Sequence, residues 1–142
     1  MYRKPIKVLL VEDSTVDAEL IVLALSQHGF AVEWDQVSTA PSLQTALLEK
    51  CWDIVLADDA MPEFDGLTAL AMIQAMDADL PFILVSGTIE EQVAISALEA
   101  GASNYVLKSH LHSLGTIVEQ EIKSAEARRR HDPGQPFAAG DT

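Results

Sequence analysis

Short apolar runs alternate along the chain with longer stretches in which apolar residues recur every three or four positions. The short runs fall at 6–11, 32–37, 54–57, 82–86 and 105–108, each the length of a strand. Between and after them the spacing predicts helices at 15–28, 41–50, 66–77, 90–100 and 111–130. Strand and helix in strict alternation predict an α/β fold, one parallel sheet with helices on both faces. The runs are not alike. Val8, Leu9, Leu10 and Val11 are apolar without a break, and so are Ile54, Val55 and Leu56. Both sides of such strands need cover, as at the centre of a parallel sheet. "VEWDQV" instead mixes Glu33, Asp35 and Gln36 into its run, as an edge strand can. A doubly wound five-stranded sheet of order 2-1-3-4-5 places the first strand inside and the second at an edge.

The helices carry end signals. Ser14 followed by Asp17, and Thr88 followed by Glu91, have the spacing of capping boxes. Gly29 and Gly101 stand where a left-handed C-cap is wanted. Pro62 and Gly66 punctuate the loop after the third strand. Leu111, Leu114, Val118, Ile122 and Ala125 give the last helix one apolar stripe, which fades toward "EARRRH". Arg128, Arg129 and Arg130 there are expected to complement the helix dipole and stay solvated. The remaining "DPGQPFAAGDT" has the Pro, Gly and Ala content of a disordered tail. The expectation is one domain at 1–131 and a tail at 132–142, with no internal repeat.

Charge narrows the choice of partners. Net charge is −13, from 22 acidic and 9 basic residues. Such a surface repels nucleic acid and anionic membrane, so no direct partner of either kind is expected. No apolar run approaches the ~20 residues of a membrane helix. The first run meets Glu12 too early for a signal peptide. The lone Cys51 excludes an internal disulfide and fits a reducing cytoplasm. Beside Trp52 at a strand entrance, Cys51 reads as a small buried residue, and Trp34 and Trp52 as packing residues. His28, His110, His112 and His131 are expected on the surface.

The chemistry sits where the oily strands stop. The first runs into Glu12 and Asp13, and the third into Asp58 and Asp59. In an open parallel sheet the ligand crevice lies beyond the carboxyl ends of the strands, where the winding direction reverses. For the order 2-1-3-4-5 that point falls between strands one and three, so Glu12, Asp13 and Asp58 should meet. Side chains alternate, so Asp58 and Asp59 cannot both face the crevice. Three carboxylates repel one another unless a cation enters. Oxygen ligands at a partly open site suit Mg²⁺. A carboxylate beside that cation is a competent nucleophile toward phosphorus. The fourth strand ends in Ser86, a hydroxyl donor followed by Gly87, and the fifth in Lys108, a mobile cation that can pair with phosphate.

The motifs "VLLVEDS", "DIVLADDAMPEFDG", "LPFILVSG" and "EAGASNYVLK", in that order, resemble the receiver domains of two-component response regulators across roughly residues 5 to 127. The most specific element runs from Asp58 through Met61 and Pro62 to Asp65 and Gly66. The resemblance implies the flavodoxin-like (βα)5 receiver fold. It implies Asp58 as phosphoacceptor, since it stands three before Met61. Asp13 is implied as direct Mg²⁺ ligand, Glu12 as a ligand through water, and the Ala60 carbonyl as a further ligand. Ser86 is implied as the hydroxyl that bonds the phosphoryl group and moves on switching, Lys108 as its pairing cation, and Tyr105 as the aromatic switch. Two positions depart from the family. Ser109 follows Lys108 where a proline joined by a cis bond is usual, and a cis bond before a non-proline residue costs about 3–4 kcal/mol. Asp59 puts an acid beside the phosphoacceptor where many relatives carry an apolar or aromatic residue.

The implied function is a signalling module and not an enzyme with a diffusible substrate. It accepts a phosphoryl group from a histidine kinase or histidine phosphotransfer protein onto Asp58 with Mg²⁺. It then changes the face built from helix four, strand five and helix five. Implied partners are a downstream protein, or an output module in a longer parent, and a second copy of the chain through that face. The phrases "VSGTIEE" and "LKSHLHSLGTIVEQEI" look like receivers that stand alone or accompany kinases. The alternative is a phosphorylation-independent interaction module. An aspartate-nucleophile phosphatase wants a second acid two residues after the nucleophile, where Ala60 stands. A flavin-binding relative of this topology would put its phosphate loop where Glu12 and Asp13 are.

Overall fold

A computed structural model of the chain describes residues 3–58, 61, 66–77, 79–87 and 91–130. Its elements are β1 (Lys4–Val11), α1 (Thr15–His28), β2 (Phe30–Val37), α2 (Ala40–Glu49), β3 (Ile54–Asp58), α3 (Gly66–Met76), β4 (Phe82–Ser86), α4 (Glu91–Glu99), β5 (Asn104–Leu107) and α5 (Leu114–Arg130). A 3₁₀ segment, Lys108–Ser113, joins β5 to α5. The strands form one parallel sheet in the order β2-β1-β3-β4-β5. The doubly wound fold read from the apolar runs is therefore the fold of the chain.

Alternate residues of the central strands feed two cores. Leu9, Val11, Val55, Ala57, Phe82 and Leu84 pack with Leu43, Leu70, Ile73 and Ala97, beneath α2, α3 and α4. Val8, Leu10, Ile54, Leu56, Ile83 and Val85 pack with Ile21, Leu25, Val118 and Ile122, beneath α1 and α5. Every residue of β3 and β4 is buried, which explains their unbroken apolar runs. At β2 burial is confined to Phe30 and Val37, as expected of an edge.

Most element ends follow their signals. Gly29 and Gly101 take φ of 118° and 112°, the left-handed region that glycine enters without a Cβ penalty. Thr39 and Ser42 form a reciprocal capping box at α2, hidden in the sequence because the third helical position of such a box is ordinarily Glu or Gln. At α1 the box is only half made. The Asp17 N–H donates to Ser14 Oγ at 3.2 Å, but Glu12 Oε2, not Asp17, accepts from the Ser14 N–H, also at 3.2 Å.

Two expectations need correction, and two others gain a detail. Lys108 does not close the fifth strand; it opens the 3₁₀ segment, which also takes Leu111 out of the last helix. Cys51 is exposed, and it is the neighbouring Trp52 that turns inward and donates from Nε1 to the Ala46 carbonyl at 3.0 Å. Arg129 does not merely complement the dipole of α5. It donates from Nη2 to Asp77 Oδ2 at 2.9 Å, and Arg128 Nε lies 3.9 Å from Asp79 Oδ1, so α5 is tied to the turn before β4. His28 is exposed as expected, and its Nε2 lies within hydrogen-bond distance of Glu119 Oε1, at 3.0 Å. Pro62, Thr88, His131 and the 132–142 tail lie outside the described residues.

Candidate functional site

Register explains why the acids converge. Val11 lies opposite Ala57 in the β1–β3 pairing, so the next residues outward are Glu12 and Asp58. Asp58 is in turn level with Val85 on β4, one residue before Ser86. Ser86 lies opposite Leu107, one residue before Lys108. The carboxyl ends of four strands thus present Glu12, Asp58, Ser86 and Lys108 along one rim, with Asp13 beside Glu12.

Glu12 is only 2% exposed, Asp58 9% and Ser86 0%, whereas Asp13 is exposed. One carboxylate oxygen each from Glu12, Asp13 and Asp58 lies within 4.8 Å of the others. Glu12 is held from several sides. Its N–H donates to the Val37 carbonyl at 2.9 Å, and its own carbonyl accepts from Gln36 Nε2 at 2.8 Å.

Lys108 reaches into this group. Its Nζ lies 2.7 Å from Asp17 Oδ2, 3.0 Å from Glu12 Oε1 and 3.7 Å from Asp58 Oδ2. Burial works to lower the lysine pKa. The hydrogen bond to Asp17 and the contact with Glu12, aided by the fields of Glu12 and Asp58, outweigh it and hold the ammonium above the ordinary lysine value. Among the described residues no peptide bond is cis, so the Lys108–Ser109 bond is trans and Lys108 Nζ contacts the acids all the same. Tyr105 is half-buried on β5 and packs, with Met61, against the core beneath α2, α3 and α4.

The group suits a hard divalent cation. The Glu12–Lys108 contact is an ion pair without hydrogen-bond alignment, so Glu12 Oε1 is buried with no directed donor. A buried carboxylate oxygen in that state, with two further carboxylates close by, is a ready oxygen ligand. Asp59, Ala60 and Asp65 lie outside the described residues. The sequence reading missed Gln36 and Asp17. Gln36 looked like an edge-strand polar residue. Asp17 looked like a capping residue, although its place one turn past Glu12 and Asp13 was the available clue.

The family model of the response regulator receiver domain matches residues 8–119. The chain belongs to the response regulator receiver family. Over 102 residues it is 31% identical to the chemotaxis protein CheY of Bacillus subtilis, covering 72% of this chain and 84% of CheY. Over 116 residues it is 34% identical to the transcription factor SKN7 of Saccharomyces cerevisiae, covering 79% of this chain but only 18% of SKN7. The CheY-like receiver domain protein of Methanospirillum hungatei superposes with a TM-score of 0.74 at 20% identity, over 90% of this chain and 99% of that one. NtrX of Brucella abortus superposes with a TM-score of 0.82 at 22% identity, over 95% of this chain and 31% of NtrX. The receiver thus spans under a third of NtrX and under a fifth of SKN7. Receiver domains are signalling modules of two-component systems that interact with histidine kinases and output domains. Among the described residues no helix is long and apolar enough to cross a membrane.

Proposed function

We propose that this receiver takes a phosphoryl group onto Asp58, with Mg²⁺ held by Glu12, Asp13, Asp58 and the Ala60 carbonyl. The observation that carries the reading is the buried Asp58 carboxylate between two further acids and a lysine ammonium 3.7 Å away. One Asp58 oxygen forms a bond to phosphorus as the P–N bond of a donor phosphohistidine breaks and its electron pair leaves on the imidazole nitrogen. Bound Mg²⁺ would neutralise the charge of the phosphoryl oxygens. Lys108 would pair with one of those oxygens, and Ser86 would donate its hydroxyl to another. Later attack by water on phosphorus returns the Asp58 carboxylate and releases inorganic phosphate. Residues 1–131 are proposed to form the receiver that carries this cycle, which belongs to the cytoplasm.

The donor is a histidine kinase or a histidine phosphotransfer protein. It must bring its histidine to the rim where α1 begins. Leu20 and Leu23 on α1 are 48% and 52% exposed and line a groove with Leu111, a surface suited to an apolar helix. Movement of Ser86 and Tyr105 would alter the α4-β5-α5 face. Ile95 and Leu98 stand exposed on α4 and offer apolar contact to a downstream partner, an output module or a second copy of the chain.

Incubation with Mg²⁺ and acetyl phosphate, followed by intact-mass measurement, tests the reading. One added phosphoryl group that requires Mg²⁺ is expected in the wild type and none in Asp58→Asn. Mg²⁺ binding without any adduct would instead select the phosphorylation-independent interaction module.

A further inference from the structure

The shortest contact of Lys108 is not with the acids that end β1 and β3. It is the 2.7 Å hydrogen bond to Asp17, on a helix 91 residues away in sequence. An aspartate three residues after a serine cap ordinarily returns its carboxylate to the cap N–H. Here Glu12 Oε2 occupies that N–H, which releases the Asp17 side chain to face the pocket. Asp17 is 35% exposed at its side chain and Lys108 21%, so the pair sits at the pocket mouth, with Glu12 and Asp58 beneath.

That arrangement addresses a conflict within the site. The Lys108 ammonium and a divalent cation both seek Glu12 and Asp58. The ammonium stands 3.0 Å from Glu12 Oε1 and 3.7 Å from Asp58 Oδ2, so an entering cation must displace it from both, and Asp17 is the partner left to receive it. We propose that Asp17 is a positioning residue, a fourth carboxylate that draws the Lys108 ammonium toward the pocket mouth and so leaves Glu12 and Asp58 to a cation. The role rests on the proposed Mg²⁺-dependent phosphoacceptor reading and adds a residue to it. Asp17 acts through Lys108 and touches neither the phosphoryl group nor the metal.

The test is a double-mutant cycle on Mg²⁺ affinity, measured by calorimetry on the wild type, Asp17→Asn, Lys108→Met and the double variant. Asp17→Asn is expected to weaken Mg²⁺ binding by roughly 3- to 10-fold, the scale of a partly exposed charge contact acting on a divalent ion. In the Lys108→Met background the same change should cost less than half as much, because no ammonium remains to fall back onto Glu12 and Asp58. Asp17→Glu, which keeps the charge, should recover at least part of the loss. Saturating Mg²⁺ should restore the acetyl-phosphate labelling rate of Asp17→Asn, an effect on metal affinity and not on the step itself. Equal fold-losses in both backgrounds would overturn the proposal, as would a labelling defect that Mg²⁺ cannot restore. The two readings fail separately. Coupling without phosphoryl uptake by any variant retires the phosphoacceptor reading and keeps the positioning role. Uptake on Asp58 without coupling does the reverse.

Discussion

At the scale of single residues, the site is a balance of like charges kept together by one lysine. Lys108 lies within 4 Å of Glu12, Asp17 and Asp58, two of them buried acids. Replacing it with methionine leaves those acids uncompensated. Lys108→Met is expected to lower stability to urea by about 1–2 kcal/mol without Mg²⁺, well below the penalty for a fully buried pair because the lysine is partly exposed. Added Mg²⁺ should recover the loss, since a ligand that binds only the folded state stabilises it. The pH dependence has a definite sign. The folded pKa of Lys108 is raised, so its contribution is complete below the ordinary lysine value and is lost only as pH rises through the folded one. The stability gap between wild type and Lys108→Met attributable to Lys108 titration should therefore stay flat from neutral pH to about pH 9 and close only in stronger alkali. A gap that closes near neutrality would contradict this placement of Lys108.

At the scale of elements, α1 and α5 meet where Gly115 has no side chain. A Cβ built there would collide with His28 Cγ and with its Cβ. The second atom decides the outcome, because the root of a side chain cannot swing aside. Alanine's helix propensity would favour Gly115→Ala by about 1 kcal/mol. Overpacking costs about 1–3 kcal/mol, so a net loss on urea unfolding is expected, with the His28–Glu119 pair displaced. Docking belongs to this scale too. Leu23→Asp should slow phosphoryl transfer from a kinase by tenfold or more while labelling by acetyl phosphate is unchanged, since α1 would contact the protein donor and not the small one. Loss of both would place Leu23 in the fold instead. The elements themselves were legible because period is a strong signal. β4 and α1 begin and end where the pattern placed them. The β5–α5 junction was not, because "KSHLHSL" fits the start of a helix and a 3₁₀ turn equally well.

At the scale of the whole molecule, the site is assembled by topology. Glu12 and Asp58 are far apart in sequence and become neighbours only because β1 and β3 pair at the reversal of winding. That logic makes the convergence of the acids, Ser86 and Lys108 legible in the sequence. Asp17 stayed hidden because its contact with Lys108 spans 91 residues and depends on Glu12 having taken the cap. No local pattern reports such an exchange. The apolar stripe of α5 ends at Ala125, and Arg129 is clasped by Asp77. A chain ending at residue 130 is therefore expected to keep the unfolding midpoint and the phosphoryl uptake of the full chain.

Phosphoryl uptake is assigned to one carboxylate among several, and trapping the acyl phosphate identifies which one carries it. The protein would be labelled with acetyl phosphate and Mg²⁺, reduced with borohydride so that the phosphorylated aspartate becomes homoserine, and its peptides sequenced by mass spectrometry. Homoserine is expected at position 58 alone, and none when Mg²⁺ is withheld. Homoserine at position 59 or 13, or at 58 without Mg²⁺, would contradict it.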